Sequence, residues 1–100
     1  MSLSDLTYEQ IEAVCDAAEK AARGYILSKI HPRRVADLAV TVDVGGERPL
    51  TVKIAVEMRP SSLIGDADVK RLMDEAIEEA FLGVEKVLEE LRLADQEDDG

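Results

Sequence analysis

From Leu38 to Arg59 hydrophobic and polar residues alternate with a period of two. Leu38, Val40, Val42 and Val44 interleave with Ala39, Thr41 and Asp43; after Gly45-Gly46-Glu47-Arg48-Pro49, Leu50, Val52, Ile54, Val56 and Met58 interleave with Thr51, Lys53, Ala55, Glu57 and Arg59. Successive side chains of a strand point to opposite faces, so this spacing predicts a β-hairpin with one aliphatic face and one mixed polar face. The Gly-Gly pair supplies the positive φ angles of a tight reversal, and Pro49 is tolerated only where the second strand begins or at its edge.

On both sides of the hairpin the period lengthens. Ile11, Val14, Cys15, Ala18, Ala22 and Tyr25 recur at three and four residues and fall on one face of a helix, predicted from about residue 8 to about residue 30. Thr7 is its expected N-cap, with Gln10 completing a capping box and Leu6 and Ile11 in the positions of a hydrophobic staple. Pro32 disfavours helix at His31 and stops it; Gly24 leaves open a split into two shorter helices. After the hairpin, Pro60-Ser61-Ser62-Leu63-Ile64-Gly65 reads as a connector, with Asp66 or Asp68 as the cap of a second, longer helix. Val69, Leu72, Met73, Ala76, Ile77, Ala80, Val84, Val87, Leu88 and Leu91 form its apolar stripe. Asp74, Glu75, Glu78, Glu79, Glu85, Glu89 and Glu90 cover the opposite, solvated side.

These elements predict an α+β fold of two layers, α-β-β-α, an antiparallel hairpin with two long helices packed on one face. Residues 1–6 are expected to form a flexible N-terminus, 7–93 a single α+β domain and 94–100 a disordered acidic tail. A two-stranded sheet is marginal alone and exposes both edges. The far half of the second helix should overhang so small a sheet, making Phe81, Val84, Val87, Leu88 and Leu91 an expected interface. A protein partner is therefore predicted, in a homodimer or in a heterodimer with a related small subunit.

Composition narrows the chemistry. Hydrophobic residues make up 46% of the chain and charged residues 34%, enough for a modest core in a soluble domain, while the 3% of aromatics leave few platforms on which bases could stack. Cys15 is the one cysteine and lies on the apolar face of the first helix, so it reads as a small core residue; no internal disulfide is available. No leader pattern opens the chain, and no apolar run reaches the ~20 residues that cross a bilayer. A cytoplasmic protein without membrane contact is expected.

The net charge of −10 is unevenly placed: residues 1–60 carry 8 Lys and Arg against 9 Asp and Glu, and residues 61–100 carry 4 against 13. Lys29, Arg33 and Arg34 form the one basic cluster. It is either a solvated loop near a helix C-terminus or a contact to an acidic partner or to RNA phosphate; RNA binding is expected only within a complex, because the whole-chain field opposes it. With a single histidine, no Walker or Rossmann glycine spacing and no His/Cys cluster, the sequence predicts no catalytic site, no metal site and no cofactor.

The order helix, Arg33-Arg34, two strands joined by a glycine turn, then Ser61-Ser62-Leu63 and Gly65 leading into a long helix resembles the Pcc family, the small non-catalytic dimerising subunits of the KEOPS complex that makes threonylcarbamoyladenosine on transfer RNA. The match spans roughly Thr7 to Leu91, and the chain is similar, more closely and over nearly its whole length, to a family of small archaeal proteins of unknown function that are divergent relatives of the Pcc family. Pcc subunits begin with a strand that completes a three-stranded sheet, and Met1 to Leu6 is short and polar for one. The resemblance implies a non-enzymatic subunit that dimerises and supports a larger complex. The alternative is a free-standing interaction or adaptor protein unrelated to transfer RNA.

Overall fold

The computed structural model describes residues 2–3, 6–45, 50–61 and 66–98. In chain order it contains β1 (Ser2–Leu3), α1 (Tyr8–Lys29), a 3-10 turn (Pro32–Arg34), β2 (Val35–Gly45), β3 (Leu50–Pro60) and α2 (Asp66–Asp98).

Local signals set the start of α1. Thr7 Oγ1 accepts a hydrogen bond from the Gln10 N–H at 3.2 Å, and the Gln10 side chain accepts one from the Thr7 N–H at 2.9 Å. This reciprocal capping box satisfies two amides that the helix itself leaves unpaired. The helix then runs unbroken through Gly24, which is exposed and has open space around it, so there is one helix and no split. Ile30 turns to extended backbone, and its N–H still donates to the Ile26 carbonyl at 2.9 Å.

The hairpin has the predicted alternation. Leu38 faces Met58, Val40 faces Val56, Val42 faces Ile54 and Val44 faces Val52, while Thr41 faces Ala55 and Asp43 faces Lys53 on the other side. A register irregularity between Val35 and Asp37 marks the start of β2. The expected turn residues 46–49 lie outside the described residues. Both helices cover the aliphatic face, α1 over β2 and α2 over β3. The core is Val14, Ala18, Ala22 and Ile26 of α1, Val52 and Val56 of β3, and Ala76, Ala80 and Val84 of α2. Alanines at the helix contact let the backbones approach closely, and each buried Val or Ile contributes ~1.5–3 kcal/mol.

The structure differs in detail from the expectations at four places. A third strand is present: Ser2 pairs with Thr51 and Leu3 with Leu50, antiparallel, where a flexible N-terminus was expected, so the sheet order is β1-β3-β2. Backbone pairing needs no apolar side chain, and so the polar start of the chain gave no strand signal. At the other end α2 continues to Asp98, past the point near 93 where an acidic tail was expected to begin. Of the two expected caps, Asp66 is the first residue of α2 and Asp68 lies within its first turn, where it forms an ion pair with Arg71. Finally, the stripe from Phe81 to Leu91 does not overhang. Val84 is fully buried, and Phe81, Val87, Leu88 and Leu91 are half-buried. The reason is geometric: α1 and α2 are antiparallel, and the 22 residues of α1 extend ~33 Å at ~1.5 Å each, so its first half covers the stretch that the sheet alone could not. Leu82 is the large apolar residue left open on this part of α2, at 56% exposure.

Candidate functional site

Two surfaces stand out. The first is a hollow of about 410 Å³ where the C-terminal end of α1, the 3-10 turn and the first turns of α2 meet. Pro32 makes it. By stopping α1 it turns the chain sharply, and His31 then caps the 3-10 turn, its Nδ1 accepting from the Arg33 N–H at 3.1 Å while its carbonyl accepts from the Arg34 N–H at 2.8 Å. The end of the hairpin pins this turn in place: the Ser61 N–H donates to the Arg34 carbonyl at 2.8 Å, and Ser61 Oγ donates to the Arg33 carbonyl at 2.7 Å.

Lys29 and Arg34 are thereby brought to the hollow, and α2 adds Arg71. Arg33, the third member of the predicted basic cluster, is exposed and does not line it. Ile30 and Leu72 supply apolar wall. Tyr25 crosses between the helices, its hydroxyl donating to Glu75 Oε2 fifty positions away in sequence. Lys29 Nζ sits 5.5 Å from the centre of the Tyr25 ring, within reach of a cation–π attraction. Hydrogen bonding to Glu75 in the first place, then desolvation and the charges of Glu75, Glu79 and Glu78, raise the Tyr25 hydroxyl above its ordinary value.

Among the described residues three cations and two carboxylates line the hollow. The carboxylates are engaged, Asp68 with Arg71 and Glu75 with Tyr25. Among the described residues neither Lys29 nor Arg34 has a salt-bridge partner. The Tyr25 hydroxyl that lines the hollow is donated to Glu75. His31 caps its turn, and no group of three metal-ligating side chains occurs among the described residues. Cys15 is half-buried; burial first, and then Asp16, Asp43 and Glu12, raise its thiol above the usual range. No helix is long and apolar enough to cross a membrane among the described residues.

Sequence reasoning missed Arg71, Tyr25 and Glu75 as neighbours of the basic cluster. A faint signal existed in the i, i+3 and i, i+4 spacing of Asp68, Arg71 and Glu75, but nothing local says which part of α1 they meet.

The second surface is the outer edge of β2. The sheet order leaves β2 paired on one side, to β3, and among the described residues no strand pairs with its other side. Among the described residues β1 covers the turn-proximal end of the opposite edge, at Leu50 and Thr51. From Leu38 to Val44 the β2 edge carries one charge, Asp43, and neither Lys nor Pro.

Comparison with known proteins places the fold and the chain. The sequence pattern of the family described as "Protein of unknown function (DUF3194)" matches residues 3–87. An uncharacterized protein of Thermococcus kodakarensis is 31% identical over 91 residues, covering 91% of this chain and 83% of that protein. A crystal structure from Thermococcus onnurineus superposes with a TM-score of 0.79 at 28% identity, covering 94% of this chain and 90% of that one. The solution structure of a hypothetical protein from Methanothermobacter thermautotrophicus superposes with a TM-score of 0.72 at 26% identity, covering 92% of this chain and 99% of the other. These relatives are archaeal, and the two solved structures share the α+β architecture.

Proposed function

The chain belongs to the DUF3194 family, a family of unknown function, and from that premise we propose that it is a non-enzymatic binding module whose working form is a pair of copies joined through their β2 edges. The observation that carries this reading is the open eleven-residue edge of β2. Such an edge presents a row of unpaired N–H and C=O groups, and proteins that work as monomers blunt it with Lys, Pro, bulges or short length. Here the irregularity is confined to one end, at Val35 to Asp37. The rest is long, β-branched and almost uncharged.

A second copy fits the edge in a register that opposes no like charges. Antiparallel pairing about a twofold axis at Thr41 sets Leu38 opposite Val44 and Val40 opposite Val42 of the other copy on the helix-bearing face. On the other face it sets Ala39 opposite Asp43 and Thr41 opposite its own counterpart. Centring on Val40 instead would set Asp37 against Asp43, two like charges directly opposed, which costs free energy. The product is a six-stranded sheet with all four helices on one side, an isologous arrangement that buries both β2 edges.

The Pcc-like version of this reading makes the pair the small dimerising part of a transfer-RNA modification assembly in the cytoplasm. What supports it is the short β1, since the resemblance calls for a first strand that completes a three-stranded sheet. Purification of the tagged protein from its archaeal host, with identification of co-purifying subunits, separates that version from a free-standing adaptor.

Pairing itself is tested by light scattering across a dilution series with two exposed-face variants. Thr41→Lys places two ammonium groups against each other at the axis and should shift the protein toward monomer. Ala39→Lys faces Asp43 of the other copy and should preserve or tighten the pair. A wild-type monomer at every concentration, or a dimer indifferent to Thr41→Lys, would overturn the proposal.

A further inference from the structure

We propose that the hollow between α1, the 3-10 turn and α2 is a binding site for a small phosphomonoester with a flat or apolar body, a nucleoside monophosphate being the simplest such compound. The inference is independent of pairing through β2.

The charge at the hollow calls for an anion. In a chain where acids outnumber bases by 22 to 12, three cations from three separate elements converge on one concavity, and its two carboxylates are already engaged by Arg71 and Tyr25. Among the described residues Lys29 and Arg34 have no salt-bridge partner, and the three cations against two carboxylates leave the lining one net positive charge. An ammonium and a guanidinium lining one hollow suit the charged end of a phosphomonoester, the guanidinium offering a fork to two oxygens and the ammonium a point charge to the third. The size calls for more than an inorganic ion: about 410 Å³ lies in the range of small-molecule pockets, and Ile30 and Leu72 line it with apolar surface that phosphate alone would leave uncovered. The surroundings disfavour a long polyanion, because Glu75, Glu78 and Glu79 follow along α2 and the chain's overall charge of −10 repels one. A small ligand ending in one phosphate meets the cations and avoids that face.

The test is a titration of isotope-labelled protein followed by amide NMR, using AMP, adenosine, inorganic phosphate and a single-stranded oligonucleotide as probes. AMP should shift the amides of Ile30, Arg34, Arg71 and Leu72; phosphate should shift the same set more weakly; adenosine should leave them unmoved. Lys29→Gln and Arg34→Gln are surface changes that keep the melting temperature, and each should weaken AMP by roughly tenfold, the loss of one charge-assisted hydrogen bond. The proposal is overturned if AMP leaves these amides unmoved, if it binds both variants as tightly as the wild type, or if the oligonucleotide binds this site more tightly than AMP does.

Discussion

Gly83 on α2 lies against Ala17 on α1 so closely that a Cβ added to it would sit 3.1 Å from the Ala17 carbonyl oxygen and 3.1 Å from the Ala21 Cβ. The glycine is needed for that approach and not for any unusual backbone angle. Gly83→Ala should fall within ~1 kcal/mol of wild type, because alanine gains up to ~1 kcal/mol of helix propensity while the neighbours must yield slightly. Gly83→Leu has no such compensation and should cost about 1–3 kcal/mol or more by overpacking. Urea unfolding of the two variants checks the contrast, and equal stability would mean that the helices do not touch there.

The two faces of the hairpin should respond oppositely to charge. Val52 and Val56 are buried beneath the helices, whereas Ala55 on the outer face is exposed. Val52→Asp or Val56→Asp buries an unpaired carboxylate and should destabilise by several kcal/mol, on the order of the ~5 kcal/mol that marks the most damaging substitutions. Ala55→Asp should change stability by about 0.5 kcal/mol or less. Thermal melts distinguish the pair directly.

Loss of the capping box should be visible without any tertiary contact being touched. Thr7→Ala removes the acceptor for the Gln10 N–H and should lower stability by ~1 kcal/mol, a fall in melting temperature of roughly 4–8 °C for a domain of this size. Thr7→Asp keeps an acceptor at that position and should restore most of it.

The Tyr25 hydroxyl donates to Glu75, so the bond requires the protonated phenol. Its value is raised above the ordinary 10.0, chiefly by that bond. A folded-state value above the unfolded one means that the contribution is fully present below pH ~10 and is lost as pH rises through the higher folded value. Melting temperature followed into alkaline solution should therefore fall more steeply for wild type than for Tyr25→Phe. Parallel curves for the two proteins would show that the bond carries no linkage.

The sequence by itself determined the hairpin and the two long helices, whose causes are local. Period two from Leu38 to Met58 specified which face of the hairpin is buried, and the spacing from Ile11 to Tyr25 and from Val69 to Leu91 specified one apolar stripe on each helix. Thr7 and Gln10 specified a helix start to the residue, because the bonds span three positions. Lys29 and Arg34 could be named as a basic cluster since they are near neighbours in the chain. Tertiary structure alone decided how the two helices slide past each other. Periodicity says which face of a helix is apolar and nothing about its register against another helix fifty residues away, and that register is what buries Val84, brings Gly83 to Ala17, joins Tyr25 to Glu75 and carries Arg71 to the same hollow as Lys29. The third strand was equally hidden, because Ser2 and Leu3 join the sheet through backbone groups that every residue possesses, and only the position of the β3 edge selects them.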